Sequence, residues 1–473
     1  MKTMKRLYIF TMGCQMNVYD SELIAGILQT TGYRRVHSMA GADLVIANTC
    51  AIRRKSEQKA FSFLGRTAEL KQKNPNLIVG IGGCVAQQEG DRILKRFPFV
   101  DLVFGTDAIG QLPNMVRHIE ETGSRMTDVS MRGRPLNIDS AAMIEADKSP
   151  SKFVTIMRGC DNFCTYCVVP YVRGRERSRS PEDIIREIRR LADSGTREIT
   201  LLGQNVNSYG LKEGLCSFPV LIKRISDIQG IERIRFTTSH PKDLSDELIE
   251  SFQNVEKLCG HIHLPVQSGS NAVLKRMNRK YTIEAYLEKM ARLREARPGI
   301  AVSSDIIVGF PGEQEADFLK TLDLIKTVEY DSLFMFQYSD RPNAPASAFS
   351  GKIPTAEKKS RLQALLAVQE SITRKKNAQL VKKTVEVLVE GWSKLNRFDA
   401  AGPGRLEWSG RTSTNKIVNF TGGKPGSGPD GNFAGKSVHV YIEKALAHSL
   451  WGRLIEAQPK HRVLKGERLC CAK

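Results

Sequence analysis

The 473-residue chain is too long for one ordinary domain, and two to four are expected. Its hydrophobic content of 41% excludes a disordered chain, and a formal net charge of +20 points to a polyanionic partner, nucleic acid first. Ten cysteines without a secretion signal argue against a disulfide scaffold. The apolar stretch near Leu7 is too short for a signal peptide, acidic Asp20 and Glu22 follow it, and no apolar run is long enough to span a bilayer. The expected setting is the cytoplasm, where thiols serve metals.

Residues 1–125 alternate short apolar runs with helical patterns, the mark of a parallel, doubly wound α/β sheet. The runs are Leu7–Thr11, Leu44–Ala47, Leu77–Ile81 and Val100–Phe104. Helices are expected over Asp20–Thr31 and Lys55–Lys73, with Asp20 and Ser56 as N-caps. Cys14, Cys50 and Cys84 fall just after the first three runs. In such a sheet the carboxyl ends of the strands share one edge, so three thiols far apart in sequence meet at one crevice. Gly82 and Gly83 would let the backbone approach whatever sits there. A second three-cysteine cluster is the sharp reading, and three unrelated core cysteines the plain one.

Residues 126–150 lack periodicity and read as a linker. An apolar run, Phe153–Met157, then leads into Cys160, Cys164 and Cys167, spaced Cys-x3-Cys-x2-Cys, with no fourth cysteine or histidine nearby. A 4Fe-4S cluster normally takes four thiolates, so three leave one iron open for a substrate or cofactor. The alternative is a structural zinc with its fourth ligand elsewhere, although paired Cys-x2-Cys arms are commoner there.

Strand–helix alternation continues to about Ser339. Strands are expected at Val154–Met157, Glu198–Leu202, Ile234–Thr238, Ile262–Val266, Val302–Val308 and Leu333–Tyr338. Helices Pro181–Asp193, Leu244–Phe252, Ile283–Arg297 and Ala316–Thr327 lie between them, giving an open, partial (βα)6 barrel. Such barrels do their chemistry at the strands' carboxyl ends, where Gln204, Asn205, Asn207, Ser239, His240, Gln267, Ser268, Gln337 and Tyr338 gather, with Asp305 inside its strand. Any one of these can be an ordinary loop or core residue. His240 is a weak candidate acid or base and is given no role.

Residues 355–382 form a long helical pattern, after which short β-rich runs separated by Gly/Pro/Asn turns suggest a small antiparallel β-barrel over 383–457. Lys394, Arg397, Arg405, Arg411 and Lys416 are interspersed there with Trp392, Phe398 and Trp408, a mixture suited to phosphates and stacked bases. A solvated basic face is the plain alternative. A Gly/Pro-rich insertion at 422–432 lengthens one turn, and the basic tail at 458–473 is expected to be loose.

Seven stretches together resemble the radical SAM methylthiotransferases over nearly the whole chain. They are TMGCQMNVYDSE (11–22), GCDNFCTYCVVPYVRGRERSR (159–179), LLGQNVNSYG (201–210), RFTTSHPKDL (235–244), HLPVQSGSNAVLKRM (263–277), SDIIVGFPGE (304–313) and WSGRTSTNKIVNF (408–420). The resemblance implies a methylthiotransferase domain at 1–125, a radical SAM barrel at 151–382 and a TRAM-type RNA-binding barrel at 383–457. It implies two 4Fe-4S clusters, one on Cys160, Cys164 and Cys167 that binds S-adenosylmethionine (SAM), and an auxiliary one on Cys14, Cys50 and Cys84. SAM contacts are expected from Tyr166, Gly203, Gln204, Asn205, Ser239, Gln267 and Asp305, with no catalytic residue beyond the cluster ligands.

The implied reaction has two stages. One SAM methylates a sulfur on the auxiliary cluster, and a second yields a 5′-deoxyadenosyl radical that takes hydrogen from C2 of a prenylated adenosine beside the tRNA anticodon. The carbon radical then takes up the methylthio group. An aromatic C–H offers no acidic proton, so a radical serves where acid–base groups cannot. The expected partners are the tRNA anticodon stem-loop, an external electron donor and an unidentified sulfur donor, with no membrane and a monomeric chain. Two rivals remain. A sister enzyme would act on threonylcarbamoyl-adenosine in tRNA or on a ribosomal-protein aspartate, and a non-catalytic RNA-binding protein would carry structural zinc. Cys216, Cys259, Cys470 and Cys471 match no part of the pattern.

Overall fold

A computed structural model describes residues 4–51, 54–133, 149–393, 407–422 and 432–455, with backbone only at 54–57. The chain divides into two compact units, Met1–Lys375 with Ser413–Asn415, and Lys376–Thr412 with Lys416–Lys473.

The first unit begins with a parallel six-stranded sheet. Its strands, in chain order, are Lys5–Thr11, Tyr33–Arg35, Leu44–Thr49, Ile78–Gly83, Leu102–Phe104 and Met126–Asp128. Across the sheet they run second, first, third, fourth, fifth, sixth. The chain therefore reverses its direction of winding between the first and third strands, and a crevice opens at their carboxyl ends. Strands LVIANT and IVGIGG are buried throughout, because helices cover both faces. Two edge strands escape the sequence pattern: Tyr33–Arg35 and Met126–Asp128 have three residues each, too few to show a period. The second begins inside the expected linker, whose residues 134–148 lie outside the described residues.

The first helix corrects a second expectation. It runs Gln15–Gln29 with Cys14 at its N-cap, so Asp20 is an interior helical residue and no cap. No side chain caps this helix and its first turn holds no acidic residue, so the usual starting signals are missing. Helix Arg54–Lys73 likewise begins before Ser56, whose side chain lies outside the described residues.

Six further parallel strands follow in chain order. Ser151–Thr155, Glu198–Leu202 and Arg233–Phe236 pair as one ladder, and His261–His263, Ala301–Val308 and Ser332–Gln337 as another. One bridge, Ile234 to Leu258, stands between the ladders, so the strands form an open arc. Helices Pro181–Asp193, Phe218–Ser226, Asp246–Asn254, Ile283–Ala296 and Glu315–Val328 back it. Ser180, Ser245 and Thr282 start three of them by accepting a backbone N–H. Val154, Ile184, Ile188, Leu221, Phe252 and Ile306 belong to the core beneath. Phe153 and Leu202 face the other way and pack with the core of the first sheet. Helix Thr355–Ala378 ends at Ala378 rather than at 382.

The second unit is a closed barrel of Thr384–Trp392, Trp408–Arg411, Ile417–Thr421, Ser437–Ala445 and Leu450–Leu454 around Val387, Val389, Phe420, Val440 and Ile442. The third and fifth strands pair in parallel, Val418 beside Leu450, so the barrel is not wholly antiparallel as expected. That pairing closes a five-stranded Greek-key barrel of the OB type. Among the described residues no helix is long and apolar enough to cross a membrane.

Candidate active site: two cysteine sets and two buried arginines

Cys14, Cys50 and Cys84 all follow carboxyl ends of neighbouring sheet strands, at the first strand, the third and the fourth. Gly13 brings two of them together. Its φ is +121°, and a Cβ there would stand 2.3 Å from the Cys50 Cβ, so a side chain would push Cys50 away. Gly82 has another use than expected: its bare Cα admits the Phe104 ring, which a Cβ would meet at 2.2 Å. The Cys14 thiol donates to Asn17 Oδ1 at 3.3 Å. It is pulled down to about 6, first by its hydrogen bond with Cys50, with Arg173 adding to this against the upward push of burial. Burial raises the Cys84 thiol, and Arg173 opposes that rise.

The second set lies on one loop between the barrel's first strand and helix Pro181–Asp193. Burial pushes the Cys160 thiol up to about 11 and that of Cys167 to about 12. The guanidinium of Arg279 is buried behind them. Its Nη1 donates to Cys164 Sγ and to the Tyr166 hydroxyl, each at 3.4 Å, Nη2 to the Pro265 carbonyl at 2.7 Å, and Nε to the Tyr281 hydroxyl at 3.1 Å. His240 Nε2 stands 4.0 Å from Cys164 Sγ, while Nδ1 accepts from the Lys242 amide at 3.3 Å. Burial first, and then Arg279, hold this imidazole far below its ordinary pKa, so it is neutral. None of the eight described cysteines forms a disulfide, and among the described residues no group of three His, Cys, Asp or Glu is placed to hold a metal ion.

Several expected SAM contacts surround this loop. Gln204 Oε1 accepts from the Gly159 amide at 2.6 Å, which ties the second strand's end to the cysteine loop. Asn205 donates to Ser208 and to Asp243, yet its Oδ1 is buried without a partner. Both polar atoms of Asn207, Ser239 Oγ and Gln267 Oε1 are likewise buried and unpartnered. Gln267 also holds a φ of +74°, rare for a side-chain-bearing residue. Native proteins seldom leave such groups unpaired, and these follow three of the barrel's strands. Gly203 packs on Met157. The Asp305 carbonyl accepts from the Gln267 amide at 2.8 Å, and its carboxylate stands 3.5 Å from His263 Nε2. Ser268 meets Thr321, and Tyr338 donates to Asp340. The buried Glu176 carboxyl is raised to about 7, first by burial, with Asp161, Asp243 and Glu213 adding to the rise.

What sequence reasoning missed is the ionic lock around these loops. Asp20, 1% exposed, accepts from Arg158 Nη2 at 2.7 Å and from Arg173 Nη2 at 2.9 Å. Arg177 grips both Asp107 oxygens at 2.8 and 3.0 Å. Arg179 pairs with Glu187 at 2.7 Å and donates to the Tyr19 hydroxyl. The arginines of 159–179 thus bind the barrel's cysteine loop to the cysteine-bearing sheet. An alternating Arg-x-Arg-x-Arg run was the one visible signal.

On the second unit, Trp392 is 49% exposed and stacks on Trp408 with ring centroids 3.8 Å apart. Trp408 is buried in the barrel core, so it is no free stacking surface. Arg411 pairs with Glu390 at 2.9 Å. Lys394, Arg397, Phe398 and Arg405 lie outside the described residues, as do most of 422–432 and all of 458–473.

The chain matches the radical SAM superfamily over residues 154–325 and the uncharacterized protein family UPF0004 over 6–105. A tRNA-2-methylthio-N(6)-dimethylallyladenosine synthase of Desulfosudis oleivorans is 56% identical over 95% of this chain and 96% of its own length. One from Syntrophus aciditrophicus is 49% identical, over 97% of this chain and 96% of its own. The chain belongs to the tRNA-2-methylthio-N(6)-dimethylallyladenosine synthase family. It is an enzyme, and in this chain the 6–105 segment carries Cys14, Cys50 and Cys84 while the 154–325 segment carries the barrel cysteines. The fold is shared more widely. The structure of the radical S-adenosylmethionine methyltransferase TsrM from Kitasatospora setae, with cobalamin and [4Fe-4S] cluster bound, gives a TM-score of 0.53 at 14% identity, over 73% of this chain and 77% of that one.

Proposed function

We propose that this enzyme adds a methylthio group to C2 of N6-prenylated adenosine beside the tRNA anticodon. The observation that carries the reading is the near-full-length identity, 56% in one case, to relatives bearing that name. The two thiol sets support it chemically. Each offers three soft donors without a carboxylate among them, a set suited to iron–sulfur ligation with an iron left open.

In this reading Cys160, Cys164 and Cys167 hold a 4Fe-4S cluster, and Cys14, Cys50 and Cys84 hold an auxiliary one. Bound there, the first cluster with SAM supplies a carbon radical able to take hydrogen from an unactivated C–H, and the second supplies sulfur. The chain's own part is to bind, shield and orient. Asn205, Asn207, Ser239 and Gln267 offer their unpartnered atoms to the polar groups of SAM. Gln204 fixes the loop through the Gly159 amide. On the barrel of the second unit, exposed Trp392 provides a face for stacking a base, and the positive chain attracts phosphates. The target base lies in a single-stranded loop, so its extrusion costs little. An external reductant supplies the electron.

The test is nucleoside mass spectrometry of tRNA from cells with and without the gene. Loss of the 2-methylthio prenylated adenosine, with its unthiolated precursor accumulating, is expected. Unchanged 2-methylthio prenylated adenosine alongside lost methylthio-threonylcarbamoyl-adenosine would move the assignment to the sister branch.

A further inference from the structure

Arg173 ends the short helix Val169–Arg173 just beyond the barrel cysteines and reaches into the crevice of the six-stranded sheet. It is 4% exposed. One edge of its guanidinium is held, since Nη2 donates to Asp20 Oδ2 at 2.9 Å and to Asn17 Oδ1 at 3.4 Å. The other edge is held less well: Nη1 is buried without a hydrogen bond of good geometry, and the guanidinium interacts there with the weakly accepting Cys84 thiol. A buried guanidinium N–H without a good acceptor is costly, and native proteins rarely keep one.

The local charge count leads the same way. Asp20 is shared by two guanidinium groups, those of Arg158 and Arg173, so one carboxylate faces two buried positive charges. Asp107, the next carboxylate, is gripped by Arg177. The groups that feel Arg173 across the crevice are Cys84 and Cys14. A neutral thiol is a weak acceptor. An anionic sulfur is a strong one and supplies the missing negative charge.

We propose that Arg173 Nη1 donates a hydrogen bond to an anionic sulfur of the cluster held by Cys14, Cys50 and Cys84, with Asp20 as the residue that positions it. The proposal rests on the reading that these three thiols hold a cluster. Arg173 then stabilises the more negative state of that cluster and raises its reduction potential, as hydrogen bonds to cluster sulfurs do. Arg279 differs in having every donor arm engaged by the protein.

The test uses the full chain with Cys160, Cys164 and Cys167 changed to alanine, so that Arg279 has no cluster to report on. Protein grown on guanidino-15N arginine is reconstituted anaerobically and reduced by one electron. Pulsed EPR is expected to show 15N coupling to the remaining cluster. In Arg173→Lys the coupling should vanish and the midpoint potential fall, with iron per chain unchanged. If the triple variant does not fold, Cys164→Ala alone serves. A cluster that forms without 15N coupling, or a coupling that survives Arg173→Lys, overturns the proposal. A chain that binds no iron overturns the ligand reading beneath it.

Discussion

The two cysteine sets are built in opposite ways. Cys160, Cys164 and Cys167 come from one loop, so their proximity is written into eight consecutive residues. Cys14, Cys50 and Cys84 follow three different strands and meet only because a parallel sheet lines up its strand ends. The first set is local and the second is assembled by the fold. Their arginines repeat the contrast: Arg279 is satisfied by carbonyl, hydroxyl and thiol, whereas one Arg173 nitrogen lacks a hydrogen bond of good geometry. A set made by the fold should be the more sensitive to packing at a distance.

The largest effect expected is on iron content. Two open sets predict about eight irons per reconstituted chain, and changing Cys160, Cys164 and Cys167 together to alanine should leave about four. Iron that stays at the unaltered level would show that the loop set holds none.

Next comes Asp20→Asn, which leaves Arg158 and Arg173 buried without their carboxylate. Denaturant unfolding of the apoprotein should show a loss of about 3–5 kcal/mol. Asp161→Asn is the control, since its partners Arg175 and Lys212 are solvent-exposed, and it should cost within about 1 kcal/mol. Equal costs for the two substitutions would remove the claim that a buried lock joins the sets.

A smaller effect should follow Ser239→Ala, which deletes an unpartnered hydroxyl near the loop set. Weakening of SAM binding by roughly tenfold is expected from one lost hydrogen bond to a charged ligand, with iron unchanged. Equilibrium dialysis reads it, and unaltered affinity would remove Ser239 from the site.

The smallest concerns Glu176. Its carboxyl is raised to about 7 in the folded chain, so the folded state holds the proton more tightly than the unfolded one. That contribution to stability is present below the ordinary carboxyl range and is lost as pH rises through about 7. Glu176→Gln should therefore match the unaltered apoprotein near pH 4 and exceed it by about 1–2 kcal/mol above pH 7. Parallel stability curves would refute the shift.

The same contrast explains what could be read from sequence. The barrel's strands and the helix Pro181–Asp193 were legible because apolar runs and a Ser-Pro-Glu-Asp start signal them locally. The position of the sheet cysteines was legible through strand order. The helix at Gln15 was not, because it begins on a cysteine and a glutamine with no cap. Asp20 then looked like a cap instead of an anchor. Its partners Arg158 and Arg173 lie more than a hundred residues away, and nothing local to either end marks the pairing. Asn207 was named from sequence only as a member of a polar group, and Ser239 as a SAM contact only through the family resemblance, since an unmet hydrogen bond is a property of packing.

The central claim, that the loop set and the sheet set do separate jobs, is tested most directly by assaying Cys50→Ala beside Cys164→Ala for two products at once. Cys50→Ala should still cleave SAM to 5′-deoxyadenosine while making no methylthiolated tRNA, and Cys164→Ala should make neither. A folded Cys50→Ala enzyme that still methylthiolates tRNA would contradict the account.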